Sequence, residues 1–169
     1  MKYNDSITLE EELIQSIQGY SGYQKVESRE ITDKRLREYL VSEITKTEKL
    51  FLEISYRITN PAISDTLNKL INQLKNLIET LTRPTYNNSP LFNHAALNSN
   101  TLSQLYQYES LLKHHVAILT DEIPDLETIE EISETNEFLN HLFDVIDNLN
   151  QILMEREYLL IGGNDENMS

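Results

Sequence analysis

The 169-residue chain contains no cysteine, which rules out disulfide staples and thiolate metal sites and leaves the redox compartment unspecified. Glycine and proline are scarce, four of each, and they fall between periodic segments rather than inside them, as helix punctuation does. No apolar run approaches the length of a membrane span, and Asp5, Glu10, Glu11 and Glu12 crowd the first twenty residues. Neither a signal peptide nor a transmembrane helix is therefore expected, and a cytoplasmic location is. Positive charge is also short: the formal net charge is -14. Residues 125–169 carry twelve Asp and Glu against Arg156 alone, whereas residues 24–59 carry eight Lys and Arg against seven acids. Such a field opposes non-specific binding to nucleic acid or anionic lipid and favours a basic partner.

What is present is helical periodicity. Thr8 and Glu11 stand at capping-box spacing, which predicts a short helix to about Gln18 with Leu9, Leu13, Ile14 and Ile17 on its apolar side, ended by Gly19-Tyr20-Ser21-Gly22-Tyr23. Residues 24–59 lack Gly and Pro, and Leu36, Leu40, Ile44, Thr47, Phe51, Ile54 and Ile58 recur at spacings of three and four. A straight helix of that length would be about 50 Å long, so one end is expected to project. After Asn60-Pro61, Ile63, Leu67, Leu70, Leu74, Leu77 and Leu81 define a second helix over 62–82. Residues 83–100 read as a long loop whose Tyr86, Leu91, Phe92 and Leu97 exceed what a flexible linker needs. Thr101 and Gln104 repeat the capping-box spacing and predict a third helix over 101–123, with Leu105, Leu112, Val116 and Leu119 facing inward. The last segment, 125–161, has two apolar phases, Leu126-Ile129-Ile132 and Phe138-Leu142-Ile146-Leu149-Leu153, which predict a kink or short break near Ser133 to Asn136 before Gly162-Gly163 and a polar tail. The sum is an all-α fold: one domain, an antiparallel bundle of four main helices plus a short N-terminal one. Leu40, Ile44, Phe51, Leu70, Leu74, Leu77, Leu112, Val116, Leu119, Leu142, Ile146 and Leu149 form its expected core.

Chemistry is harder to find. His114 and His115 are adjacent on a helix, 100° apart, and cannot converge on one ion; no Glu precedes a His by three residues, as a ferritin-like site requires. Glu130-Glu131-x-x-Glu134 resembles half of the magnesium-binding motif of all-α nucleotide pyrophosphohydrolases, but Asp144-x-x-Asp147 falls on the same helix rather than the next. A phosphate-binding glycine loop and a nucleophile elbow are missing. No catalytic residue, metal or cofactor is assigned, and the chain is expected not to be an enzyme.

The unusual feature is the start of the first long helix. Projected at 100° per residue, its apolar stripe runs back through Arg29 and Asp33, with Arg37 at the margin. Three readings stand: this end projects and is solvated, with Asp33–Arg37 and Glu30–Lys34 as surface pairs; Tyr20, Tyr23, Arg29, Asp33 and Arg37 form a recognition surface with Tyr86, Leu91 and Phe92 of the loop; or, within one domain, Arg29 pairs with Asp33 and the tyrosines cap the bundle's end. The stretch Gly19-Tyr20-x-Gly22-Tyr23-x-Lys25-x-Glu27-x-Arg29, then Asp33-Lys34-x-Leu36-Arg37, resembles a set of uncharacterised bacterial helical proteins. Arg83, Tyr86, Leu91-Phe92 and Leu102-x-x-Leu105-Tyr106 extend the resemblance, while Glu30 and Asn87-Asn88 depart from it. It implies a helical protein that accompanies band-7-type (SPFH) membrane scaffolds. The expected function is a non-enzymatic adaptor or assembly protein, bound to a protein partner or to itself, with no nucleic acid and no direct membrane insertion. The alternative is a cryptic metal-dependent nucleotide hydrolase or ligand-binding bundle.

Overall fold

A computed structural model describes residues 7–83, 89, 92, 97–121 and 132–162. It is all-helical among these residues: α1 (Leu9–Ser16), a 3-10 turn (Val26–Ser28), α2 (Arg29–Ser55), α3 (Pro61–Thr82), α4 (Ser99–Asp121) and α5 (Ile132–Leu160). Local chemistry sets several of the boundaries. Thr8 and Glu11 form the expected reciprocal box, the Thr8 amide donating to Glu11 Oε2 at 2.8 Å and the Glu11 amide to Thr8 Oγ1 at 3.2 Å. Asn60 caps α3 by accepting from the amides of Ala62 and Ile63, and Pro61 opens the helix where its missing N–H costs nothing. At α4 the cap is Asn98, whose Oδ1 accepts from the Thr101 amide at 2.7 Å, so the helix starts two residues earlier than the Thr101-Gln104 pair suggested.

Helix α2 packs on α3 and α4, and α5 packs on α3 and α4, so four helices enclose one core while α1 lies against α4. Helix α3 ends beside the start of α2, where Leu81 and Thr82 face Glu30 and Ile31, and α5 also ends there, Arg156 reaching Asp33. The antiparallel relation holds between α2 and both of these helices, which makes the neighbours α3 and α5 run in the same direction. Helices α3 and α4 are not among the closely packed pairs, so the segment joining them has to cross an end of the bundle. Ser89 donates its hydroxyl to the carbonyl of Leu160 at the end of α5, and Phe92 packs half-buried against the core. The apolar content of that loop is thus partly spent on covering the bundle end.

All twelve expected core residues are buried. Leu9 and Ile14 are not: α1 is covered on one side only, and Leu13 and Ile17 take that side. The first long helix starts at Arg29 rather than at residue 24 and stops at Ser55, and its beginning does not project. Arg29, Asp33 and Arg37 are buried there, for reasons given below. Helix α5 runs unbroken through 133–136, where a kink or short break was expected; Thr135 and Leu139 share the buried face of Leu142 and Ile146, so one phase serves the helix from Thr135 onward. Leu126 and Ile129, which suggested the second phase, lie outside the described residues. No described helix is long and apolar enough to cross a membrane.

Truncating a side chain at the centre of this core should leave a cavity. Leu74→Ala is expected to cost about 2–5 kcal/mol in chemical denaturation, and Leu9→Ala about 0.5 kcal/mol or less. Equal effects would mean that the assigned core is wrong.

Candidate functional site

Two glycines build the entrance to the unusual region. Gly19 (φ 80°) and Gly22 (φ 81°) occupy the left-handed backbone region, which side chains disfavour, and they turn the chain back after α1. At Gly22 a Cβ would also run into Glu10 Oε1 and lie 3.0 Å from the Tyr106 hydroxyl. Thr32 on α2 secures the turn, donating to the Gly22 carbonyl at 2.9 Å and accepting from the Ser21 amide at 3.3 Å. The result is that Tyr20 and Tyr23 point into the bundle, ring edge to ring face at 6.0 Å.

Inside, Arg156 of α5 is the hub. Its Nε donates to Glu109 Oε1 at 3.0 Å, and its Nη2 donates to the same oxygen at 2.7 Å, to the Tyr23 hydroxyl at 3.1 Å and to Asp33 Oδ1. Glu109 of α4 also accepts the Tyr23 hydroxyl at 2.6 Å and the Tyr20 hydroxyl. Asp33 of α2 accepts Arg37 Nε at 2.9 Å, and Arg37 reaches on to Glu157. Arg29 Nε donates to the Tyr23 carbonyl at 2.7 Å. Outermost, Tyr106 accepts the Tyr23 amide at 3.0 Å and donates to Glu10 of α1 at 2.8 Å. Asp33, Glu109 and Arg156 side chains are each 0% exposed. Three buried arginines, 29, 37 and 156, stand with the buried carboxylates Asp33 and Glu109 and with Glu157, part-exposed at the margin, so most of the buried charge is offset. That offset is what makes burial of so many ions tolerable.

The site residues expected from sequence therefore divide. Tyr20, Tyr23, Arg29, Asp33 and Arg37 do come together, but inside the chain, where partners from α4 and α5 satisfy them. A solvated projecting end and an exposed recognition surface give way to an internal ionic network; the cluster is structural within one domain, but Asp33 pairs with Arg37 and Arg156. Phe92 packs on the core, and Tyr86 and Leu91 lie outside the described residues. The Asp33–Arg37 pair exists as an i,i+4 contact, buried rather than on the surface, and Lys34 stands 3.8 Å from Glu38. Glu109, Arg156, Tyr106 and Glu10 were missed. The signal was available: Glu109 stands four residues after Leu105 and three before Leu112, and Arg156 three after Leu153, each on its helix's apolar line.

The network holds its protons fast. Burial first, then the Glu109 carboxylate, pushes the Tyr20 and Tyr23 phenols far above the ordinary tyrosine range. Burial also pushes Glu109 up, while the Arg156 charge and the phenol donors hold it back. For Arg156 burial works against the charge, yet Asp33 and Glu109 more than offset it and hold the guanidinium protonated. With no face on solvent, these groups are poised for structure rather than for acid–base work on a solute.

Other candidates give little. His114 and His115 stand edge to face at 5.7 Å, and the His115 ring Nδ1 lies 2.9 Å from the Leu111 carbonyl. No group of three potential metal-ligating side chains occurs among the described residues, and Glu130 and Glu131 lie outside them. Compared with known proteins, the chain matches no family model, no curated protein and no solved structure.

Raised phenol pKa values set a direction with pH. A group whose folded value exceeds its unfolded value contributes stability below the unfolded value, near 10 for tyrosine, and loses it as pH rises further. Above pH 10 the unfolding free energy should therefore fall by about 1.4 kcal/mol per pH unit for each of Tyr20 and Tyr23. Denaturant titrations should show that fall, with less of it in Tyr23→Phe, and tyrosinate absorbance should show the phenols of Tyr20 and Tyr23 ionising only on unfolding, with Tyr106, also raised by burial, ionising late. Ionisation of all nine tyrosines near pH 10 in the folded chain would contradict the burial.

Proposed function

We propose that this chain is a non-enzymatic helical adaptor or assembly protein that acts through protein–protein contacts. One observation carries the reading: its ionic groups of unusual environment are turned inward and paired with one another, while three of the large apolar side chains left outside fall in a row at the end of α5. Met154 (67% exposed), Tyr158 (55%) and Ile161 (55%) follow each other at four and three residues along a single face at the end of α5. Apolar side chains scattered singly need no explanation, but a row on one face is the usual mark of a contact surface. The recognition surface is accordingly moved from the Tyr20–Arg37 segment to the outer side of the helix that supplies Arg156. A band-7-type scaffold is the partner that the sequence resemblance implies.

A second reading keeps support from one feature. The starts of α2 and the end of α3 leave a groove of about 420 Å³ lined by Ile31, Val41, Leu81, Lys34 and Arg37, a size suited to a small apolar molecule with an anionic group. Native mass spectrometry of the purified chain separates the two. The adaptor reading expects the mass of the bare chain, and a protein that co-purifies with it but is lost from Met154→Ser/Tyr158→Ser while the melting temperature hardly moves. A stoichiometric small molecule, or magnesium-dependent nucleotide hydrolysis abolished by Glu131→Gln or Glu134→Gln, would overturn it.

A further inference from the structure

The exposed row on α5 extends beyond its three apolar members. Asp147, Gln151, Met154, Tyr158 and Ile161 succeed each other at intervals of four, three, four and three, all exposed, which is the seam pattern of a helix that lies along another helix. At 1.5 Å per residue the apolar part is about 10 Å long, room for the anchors of two to three turns of a partner helix. The exposed Asp, Glu, Lys and Arg of α5 itself are all acidic. Asp144, Asp147 and Glu155 are exposed on α5, and the only Lys or Arg of that helix, Arg156, is directed into the core and fully buried.

Resting on the protein-contact reading, we propose that this seam docks an amphipathic helix of a partner protein whose apolar anchors are flanked by Lys and Arg. Charge complementarity selects that occupant. A second copy of the chain would bring together two α5 helices, each with six Asp and Glu against Arg156 alone, and an anionic membrane surface would be repelled in the same way. A basic helix gains from the field on approach and buries Met154, Tyr158 and Ile161 on arrival.

Synthetic peptides test this on the full chain. Three share a helical design: one with Leu at i, i+4 and i+7 flanked by Lys and Arg, one with the same Leu flanked by Glu, and one with the basic flanks but Ser in place of Leu. Isothermal titration should show the first binding at least tenfold tighter than the others, more weakly as salt rises, and at least tenfold more weakly to Met154→Lys/Tyr158→Lys. Circular dichroism of that variant should match the parent, since both side chains are exposed. Equal binding of the Glu-flanked or the Ser peptide, no binding of any, or indifference to the double substitution would overturn the inference. So would a dimer in light scattering that Met154→Lys disrupts. If the peptides fail while a natural partner is still captured through another surface, this inference falls alone; if no partner is captured either, the adaptor reading falls with it.

Discussion

Burying one arginine governs much of this structure. A guanidinium taken out of water costs several kcal/mol unless carboxylates and hydrogen-bond acceptors replace its hydration, and Arg156 finds them only where three other parts of the chain meet it. Glu109 comes from α4, Asp33 from α2, and the Tyr23 hydroxyl from the turn before α2. Sliding any of these elements by one helical turn, 5.4 Å, would separate the charges and leave at least two of them buried and unpaired. The apolar contacts between Leu and Ile side chains are far less particular, because one aliphatic neighbour substitutes for another at modest cost. The ionic network therefore fixes the register that the apolar core only permits.

The rest of that end of the bundle follows from the same requirement. The phenols of Tyr20 and Tyr23 supply the donors that Glu109 needs beyond Arg156, and the two glycines with positive φ are what bring them in. Helix α1 adds Glu10 to receive Tyr106 and Glu12 to meet Lys113 at 3.1 Å, which ties the N-terminal segment to α4. Arg37 and Glu157 extend the charge pairing toward the surface, where Glu157 is 28% exposed. Among the described residues, the opposite end buries no charged side chain. Around Phe51, Ile54 and Ile63 the helices meet through aliphatic and aromatic packing, and a five-residue connection capped by Asn60 suffices.

How legible this was in the sequence depended on how many elements each feature involves. Properties of one helix could be read directly: the stripe from Ile63 to Leu81, the Thr8–Glu11 box and the helix-breaking Asn60-Pro61 all agree with the structure. The charged residues on the α2 stripe were visible too, and so was their conflict with simple burial. Its resolution was not, because Arg29, Asp33 and Arg37 looked like surface groups until Glu109 and Arg156 were known to face them. Those two partners lie 76 and 123 residues beyond Asp33, and pairing across such separations is set by which helices become neighbours, which a single-helix pattern does not encode. At the start of α5, the Leu126-Ile129 phase lies outside the described residues, and from Ile132 onward the helix is unbroken.

A double-mutant cycle on Arg156 and Glu109 tests the central claim most directly, because it measures how much one buried group depends on the other. Arg156→Ala should cost about 3–5 kcal/mol by leaving Asp33 and Glu109 buried without a cation. Adding Glu109→Leu should cost less than the sum of the single changes, with a coupling energy of about 1–3 kcal/mol. Additive effects, or an Arg156→Ala protein within about 1 kcal/mol of the parent, would contradict the account and return the cluster to the list of functional sites.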